Sequence, residues 1–516
     1  MTFADILDRT ASRYPQKVAA SYEGRSVVYS EMKKRVDALS SLLLSSGVCR
    51  GDRMAVLAPN SHHYLEMYLI AARTGIVLVP LNTRLTAQEL LFIVNDCRPT
   101  AIVVEEEFRE TLESLRDGLG QIRVVLAIGW GFEGAVAYEE VAGKAVGSVP
   151  TQGTDDDIMC ILYTGGTTGF PKGAALTNGN WIANSANALP ALGIKPDDVN
   201  LVMTPLFHSA AVWPALLHLY VGATSVMTRR FDVRATFDLL EREKVTFCHP
   251  VLAQVVALLD HPEAHSYDLS SLHTVQCTMS LSAPVYERAL KVFGNAVVPG
   301  YGLTEAGPMV ALMPRAEMAS WAMIGKAPLE QARRFGSSGL ALPNVEARVI
   351  DDKGREVPRG EIGEIAVRSD SVMKGYWNRP HATALALRDG WLYTGDMARM
   401  DTDGYLYFVD RKSGMIKSGG ESVYPKEVED AIASHSAVLE AAVFGVSEAR
   451  WGETVRAAVV LRRGMTATED ELIEHCRQRM ASYKKPTGIM FVDALPRNPS
   501  GKVMKAELLA RYVARS

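Results

Sequence analysis

The chain has 516 residues, of which 47% are hydrophobic and 22% charged, and its formal net charge is -4. A single hydrophobic core stops growing at roughly 250 to 300 residues, so several subdomains are expected. The balanced charge excludes the basic surface that a nucleic-acid partner needs, and no run of about 18 apolar residues is present to span a membrane.

From Val36 to about Val104, helical segments alternate with apolar runs such as Arg53 to Ala58 and Ile76 to Leu81, the pattern of an α/β architecture with mainly parallel strands. The pattern returns at Asn200 to Thr204 and Ala223 to Met227, followed by an amphipathic stretch from Phe237 to Lys244. Between about 340 and 410 the texture changes to short β-type runs broken by Gly and Asp, at Ala347 to Ile350, Glu364 to Val367 and Tyr405 to Val409, which predicts a small β-rich subdomain. Beyond Asp410-Arg411 a compact α+β unit follows, with a helix opened by Pro425 and strands at Ala441 to Val446 and Arg456 to Leu461. The expected division is residues 1–410 and 411–516, the β-rich part occupying about 340–410. Six cysteines (Cys49, Cys97, Cys160, Cys248, Cys277, Cys476) are scattered without CxxC spacing, so neither a disulfide framework nor a zinc site is indicated. With no signal-like start at Met1-Thr2-Phe3-Ala4-Asp5 and no peroxisomal tripeptide at Ala514-Arg515-Ser516, a reducing, cytoplasmic setting is expected.

Two segments carry chemistry that can be read from residue types alone. In Thr164-Gly165-Gly166-Thr167-Thr168-Gly169-Phe170-Pro171-Lys172-Gly173, glycines free backbone N–H groups to approach phosphate oxygens, and threonine hydroxyls and the Lys172 ammonium add donors. A Walker A loop is excluded, because Pro171 stands where that pattern needs glycine before its lysine. In Tyr301-Gly302-Leu303-Thr304-Glu305 an aromatic, a hydroxyl and a carboxylate lie close enough together to stack a base, bind a phosphate and hold a metal.

With Tyr393-Thr394-Gly395-Asp396 and the C-terminal Pro496-Arg497-Asn498-Pro499-Ser500-Gly501-Lys502, these segments resemble the adenylate-forming superfamily, most closely its acyl-CoA synthetases, and the resemblance runs from about Thr2 to the last helix. It implies a large N-terminal domain of two mainly parallel α/β sheet subdomains plus a small distorted β-barrel, followed by a small mobile α+β C-terminal domain. It also implies two half-reactions: a carboxylic acid and ATP form an acyl-adenylate and pyrophosphate, and the CoA thiol then takes the acyl group and releases AMP. The nucleotide would lie on Thr164, Gly165, Gly166, Thr167, Thr168, Gly169, Lys172, Tyr301 and Gly302. Thr304 would contact the α-phosphate, Glu305 would bind Mg²⁺, Asp396 would accept the ribose hydroxyls, and Arg411 would reach ribose and phosphate. Lys502 would be the catalytic cation, since attack of a carboxylate on phosphorus joins two anions. The family usually carries serine at the position of Gly165.

One site serves both half-reactions in this family by rotation of the C-terminal domain, which would withdraw Lys502 and bring in Lys417 to Glu421. Gly419 and Gly420 would then flank the pantetheine arm, and Trp451 and Lys485 resemble positions that contact the nucleotide end of CoA. The hinge position, commonly Asp or Lys, is Ser413 here.

Pro205 to Trp213 resembles the stretch that lines the acyl pocket, with His208 as gate or catalytic neighbour. Amino-acid-activating relatives have aspartate in place of His208, and malonate-activating ones have arginine where Gly300 stands. An apolar pocket for an uncharged bulky acid (aromatic, medium to long chain, or polycyclic) is therefore expected, lined by Trp213, Met279, Leu281, Ser282 and Met309. Leu281 and Ser282 replace two glycines of many relatives, and the segment between Pro308 and Gly336 is longer than usual. A separate carrier protein as acyl acceptor, a luciferase-like oxidative use of the adenylate, a non-catalytic acyl or nucleotide sensor, and a homodimeric state all stay open.

Overall fold

The computed structural model describes residues 1–164, 171–278, 281, 283–318, 334–418, 421–448, 452–497 and 503–513. The chain forms two units, Met1–Ala347 with Ala366–Tyr393, and Arg348–Ile365 with Thr394–Ser516.

The first unit is mixed α/β, built on two large sheets. One has eight strands in the order Gly375–Tyr376, Lys172–Thr177, Ile158–Thr164, Val77–Pro80, Arg53–Leu57, Ala101–Glu105, Val124–Ile128 and Val136–Ala137. Its centre is parallel, and the near-continuous burial of Arg53–Leu57 and Val77–Pro80 follows from cover on both faces. Two of its pairings are antiparallel, and both frame the glycine-rich segment. Ile158–Thr164 pairs with Lys172–Thr177, placing Tyr163 opposite Gly173 and Thr164 opposite Lys172, and Gly375–Tyr376 adds an edge beside Ala174 and Ala175.

The second large sheet has nine strands, with Val297–Gly302, Thr274–Cys277, Phe247–Cys248, Val199–Val202, Thr224–Met227 and Val18–Tyr22 adjacent and parallel. From Val199–Val202 the chain steps outward to Thr224–Met227, then back across to Phe247–Cys248. That reversal of strand order opens a crevice at the carboxyl ends, where parallel α/β sheets place ligands. Pro205 to His208 and then the helix Ser209–Val221 leave the sheet at this point.

The helix His62–Thr74 is buried along all 13 residues, so its polar side chains need internal partners. Glu66, fully buried, accepts from Arg35 Nε at 2.6 Å and from Tyr138 Oη at 2.8 Å, and the Arg35 guanidinium also donates to Glu139 at 2.7 and 2.9 Å. Arg73, 1% exposed, is held by Asp8 at 2.6 and 2.7 Å.

Five strands, Glu346–Ile350, Ile362–Arg368, Leu387–Arg388, Trp391–Met400 and Leu406–Arg411, form a curled sheet within whose strands the chain passes between the units. In the second unit, Val438–Glu448 and Gly452–Leu461 pair from end to end, with one register shift between Val438 and Glu440, further than the sequence suggested at either. The reason lies in strand periodicity, since successive side chains face opposite sides. Val443, Val455, Ala457 and Val459 pack with Val428, Ile432 and Leu472 of the helices Pro425–Ala433 and Glu469–Arg477, whereas Ala442, Phe444, Ala458 and Val460 pack with Leu508 of Lys505–Val513. Pro425 stands at the first helical position, as expected. Among the described residues no helix is long and apolar enough to cross a membrane.

Breaking a buried ion pair costs about 3 to 5 kcal/mol when one charge is left behind. Arg35→Met is expected to destabilise the first unit by that order, because Glu66 would keep only the Tyr138 hydroxyl; denaturant unfolding measures it, and Arg35→Met with Glu66→Leu should recover part of the loss.

Candidate active site

Glu305 lies in the one-turn 3-10 helix Thr304–Ala306 that follows the strand Val297–Gly302. The turn closes at Gly307 with φ +82, where a Cβ would sit 2.1 Å from the Ser371 carbonyl oxygen, so glycine alone fits. The Glu305 backbone carbonyl accepts from Met373 N at 2.9 Å. Its carboxylate Oε1 accepts from the Tyr376 hydroxyl at 2.9 Å and the Thr164 hydroxyl at 3.5 Å. The Lys172 ammonium stands 5.4 Å from the Tyr376 ring centroid, within cation–π range. Tyr376 is fixed in turn: its N–H donates to Thr383 Oγ1 at 2.9 Å, and the next residue, Trp377, donates from N to the Gly173 carbonyl at 2.8 Å. One foot of the glycine-rich segment, Thr164, thus meets the Glu305 carboxylate directly, and the other, Lys172, meets the ring of the tyrosine bonded to it.

Beside it, Thr304 and Ser209 share a hydroxyl–hydroxyl hydrogen bond of 2.8 Å. His208 caps the helix Ser209–Val221, its Nδ1 accepting from Ala210 N at 3.2 Å, which leaves the proton of the neutral ring on Nε2. The imidazole is exposed, and desolvation by its surroundings lowers its pKa from the ordinary value, so near neutral pH it is mainly an uncharged N–H donor. Tyr301 is buried at 5% exposure, and a Cβ on Gly302 would meet the Pro308 carbonyl oxygen at 2.1 Å. A Cβ on Gly300 would approach the Ala311 carbonyl and Met309 Cε at 2.8 Å. Trp213, Leu281 and Met309 are all buried, Trp213 edge-on to Phe247 and His249.

In the second unit, Asp396 and Arg411 face each other across paired strands, Arg411 Nε lying 2.6 Å from Asp396 Oδ1. Asp396 is 1% exposed, and its N–H donates to Thr394 Oγ1 at 3.1 Å. Gly395, at φ +72, donates its N–H to Glu364 Oε1 at 2.9 Å, and Glu364 also takes Lys412 at 2.9 Å. Ser413 falls in the 3-10 turn Lys412–Gly414, and Lys485 is half-buried. Gly165, Gly166, Thr167, Thr168, Gly169, Met279, Ser282, Gly419, Gly420, Trp451 and Lys502 lie outside the described residues.

A second cluster of metal-type ligands, His62, His63 and Glu139, gathers within 4.8 Å. Its carboxylate is already taken by His63 at 2.7 Å and by the guanidiniums of Arg35 and Arg25. Burial opposes the charge of Glu139, but His63 and Arg35 hold its pKa well below the carboxylate range, and two guanidiniums on one carboxylate repel a dication. Glu305, with the Thr164 hydroxyl beside it, is the better hard-oxygen site.

The AMP-binding enzyme family model matches residues 7–377, and the model of the AMP-binding enzyme C-terminal domain matches residues 427–502. The chain belongs to the AMP-binding family of adenylate-forming enzymes. Similar members include a feruloyl-CoA synthase from Amycolatopsis sp, 38% identical over 506 residues that cover 98% of each chain, and an indoleacetate–CoA ligase from Aromatoleum aromaticum, 36% identical over 515 residues with 98% of each covered. The crystal structure of ATP-bound MatB from Rhodopseudomonas palustris matches with a TM-score of 0.87 at 31% identity, over 99% of both chains. This AMP-binding enzyme is an ATP-dependent acyl-CoA synthetase.

Sequence reasoning missed Tyr376 and Ser209. Tyr376 lies 71 residues from Glu305 and reaches it only because Gly375–Tyr376 pairs beside Lys172–Thr177, a juxtaposition that no spacing signals. A hydrogen bond to a charged acceptor is worth about 1.5 kcal/mol at the lower end of its range. Tyr376→Phe is therefore expected to lower kcat/KM for ATP about tenfold, with an unchanged circular dichroism spectrum; an unchanged kcat/KM would remove Tyr376 from the site.

Proposed function

We propose that the enzyme ligates an uncharged bulky carboxylic acid, aromatic before aliphatic, to CoA. The observation that carries this reading is the convergence of the Thr164 and Tyr376 hydroxyls on the Glu305 carboxylate, with Lys172 over the Tyr376 ring, beside the Ser209–Thr304 pair. In the first half-reaction a carboxylate oxygen attacks the α-phosphorus, the bond to the bridging oxygen breaks, and pyrophosphate leaves. In the second, the CoA sulfur attacks the acyl carbon, its proton passes to solvent, and AMP departs with the electron pair of the C–O bond.

Lys172 and the glycine-rich segment 165–169 would bind the triphosphate, Tyr301 and Gly302 the adenine, and Thr304 the α-phosphate. Asp396, with Arg411 beside it, would hold the ribose. Mg²⁺, held by Glu305, would supply neutralisation of the phosphate charge. His208 presents an uncharged donor suited to the substrate carboxylate, and Lys502 would stabilise the charge that grows at phosphorus. The mobile C-terminal domain would begin at Arg411, inside the second unit, with Ser413 as hinge and Gly419, Gly420, Trp451 and Lys485 on the CoA side. Gly300, with neither arginine there nor aspartate at His208, supports an acid without a second charge, and the aromatic acids named for two relatives favour an aryl group. A cytoplasmic location fits CoA chemistry.

AMP release from ATP and Mg²⁺, measured over aliphatic, aromatic and polycyclic acids with and without CoA, tests the reading. CoA-dependent AMP release with aryl acids is expected, and Lys502→Ala should cost about 10²- to 10³-fold in kcat. Pyrophosphate release without CoA dependence would instead indicate a carrier-protein acceptor, and no pyrophosphate with any acid would overturn the ligase.

A further inference from the structure

The acyl side of the site holds polar groups that the reaction does not use. Phe247 packs against Trp213 and His218, so it faces the helix Ser209–Val221; His249, two residues on, faces the same way, with its ring centroid 5.8 Å from that of Trp213. Thr274 is level with Phe247 across the sheet, which carries Gln276 and Thr278 to the same face, and His249 Nε2 meets Thr278 Oγ1 at 3.4 Å. Gln276 is level with Val298, so Gly300 stands two residues further along that face toward the carboxyl ends. His249 and Gln276 consequently lie about 6.6 Å, two strand residues, deeper than Gly300, a span that one substituted benzene ring fills.

These groups carry buried polar atoms without partners. Trp213 and Gln276 are 0% exposed and His249 is 3% exposed, yet among the described residues Trp213 Nε1, His249 Nδ1 and both ends of the Gln276 amide make no hydrogen bond. Buried polar atoms left unmade are costly, and four beside one another call for a ligand or water that completes them. Burial pushes the His249 imidazole down to about 3, against a small opposing effect of the Ala210 carbonyl and with His208 adding to the drop, so near pH 7 the ring is neutral with one donor and one acceptor.

We infer that Gln276, His249 and Trp213 read a hydrogen-bonding group at the far end of the acyl chain, a ring hydroxyl, and that the substrate is a hydroxyaryl acid rather than an alkyl or unsubstituted aryl one. The inference rests on the ligase reading above. A hydroxyl supplies the donor that the Gln276 carbonyl lacks and the acceptor that the indole N–H lacks. An alkyl tail, or a bare ring, would displace any water there and leave all four atoms unsatisfied, which is how sites built for a hydroxyl reject its analogue.

The test compares matched acids in CoA-dependent AMP release by the full-length enzyme: 4-hydroxycinnamate against cinnamate, 3-(4-hydroxyphenyl)propanoate against 3-phenylpropanoate, and octanoate. The wild type is expected to favour each hydroxylated acid at least about tenfold in kcat/KM, and Gln276→Leu to bring that ratio close to one. His249→Phe provides a second variant should Gln276→Leu fold poorly, and since the readout is a ratio on one preparation, loss of folded protein does not shift it. A wild-type ratio near one, a preference for octanoate, or a ratio unmoved in both variants would overturn the inference while leaving the ligase standing. Absence of AMP with every acid would remove the ligase reading and this inference together.

Discussion

The antiparallel pairing of Ile158–Thr164 with Lys172–Thr177 is the constraint from which the site is built. By setting Thr164 opposite Lys172 it brings both ends of the glycine-rich segment to one edge of the sheet. The short strand Gly375–Tyr376 can then add to that edge, and Tyr376 arrives within hydrogen-bonding distance of Glu305. A carboxylate, a hydroxyl, a phenol and an ammonium from three distant parts of the chain are thereby positioned by the backbone, which is the preorganisation that charge-developing reactions exploit.

The nine-stranded sheet contributes by topology. Because the strand order reverses at Val199–Val202, the loop that carries His208 and the end of Phe247–Cys248 open onto the same crevice. In the proposed reading the carboxylate end of the acid would be met by groups on turns and helix starts, and its tail by side chains on the face of the sheet below. Reaction and recognition would then occupy successive levels of one face, joined at Gly300.

Much of this was legible in the sequence. The apolar runs near Arg53, Val77, Val199 and Thr224 announced parallel strands, since strands covered on both faces need no polar alternation. Pro425 announced its helix, and Tyr301 to Glu305 and Thr164 to Lys172 announced nucleotide chemistry by composition and order. What was not legible depended on pairing between remote strands. Tyr376 carries no local mark of its contact with Glu305, Gln276 reads as one polar residue between Thr274 and Thr278, and the charge system of Arg35, Glu66 and Glu139 joins three helices. The lengths of Val438–Glu448 and Gly452–Leu461 escaped because apolar residues on both faces blur the period-two signal.

That two-sided strand pair also governs how the second unit can change over time. Its alternate residues feed separate cores, so an added or deleted residue within either strand would turn valines and Phe444 toward the wrong neighbours along the rest of the ladder. Substitutions of similar volume are tolerable there, but differences in chain length beyond the shift already present after Val438 are not. Descendants of this sequence should therefore drift in length only in the connections, while the ladder keeps its count of residues long after its side chains have diverged.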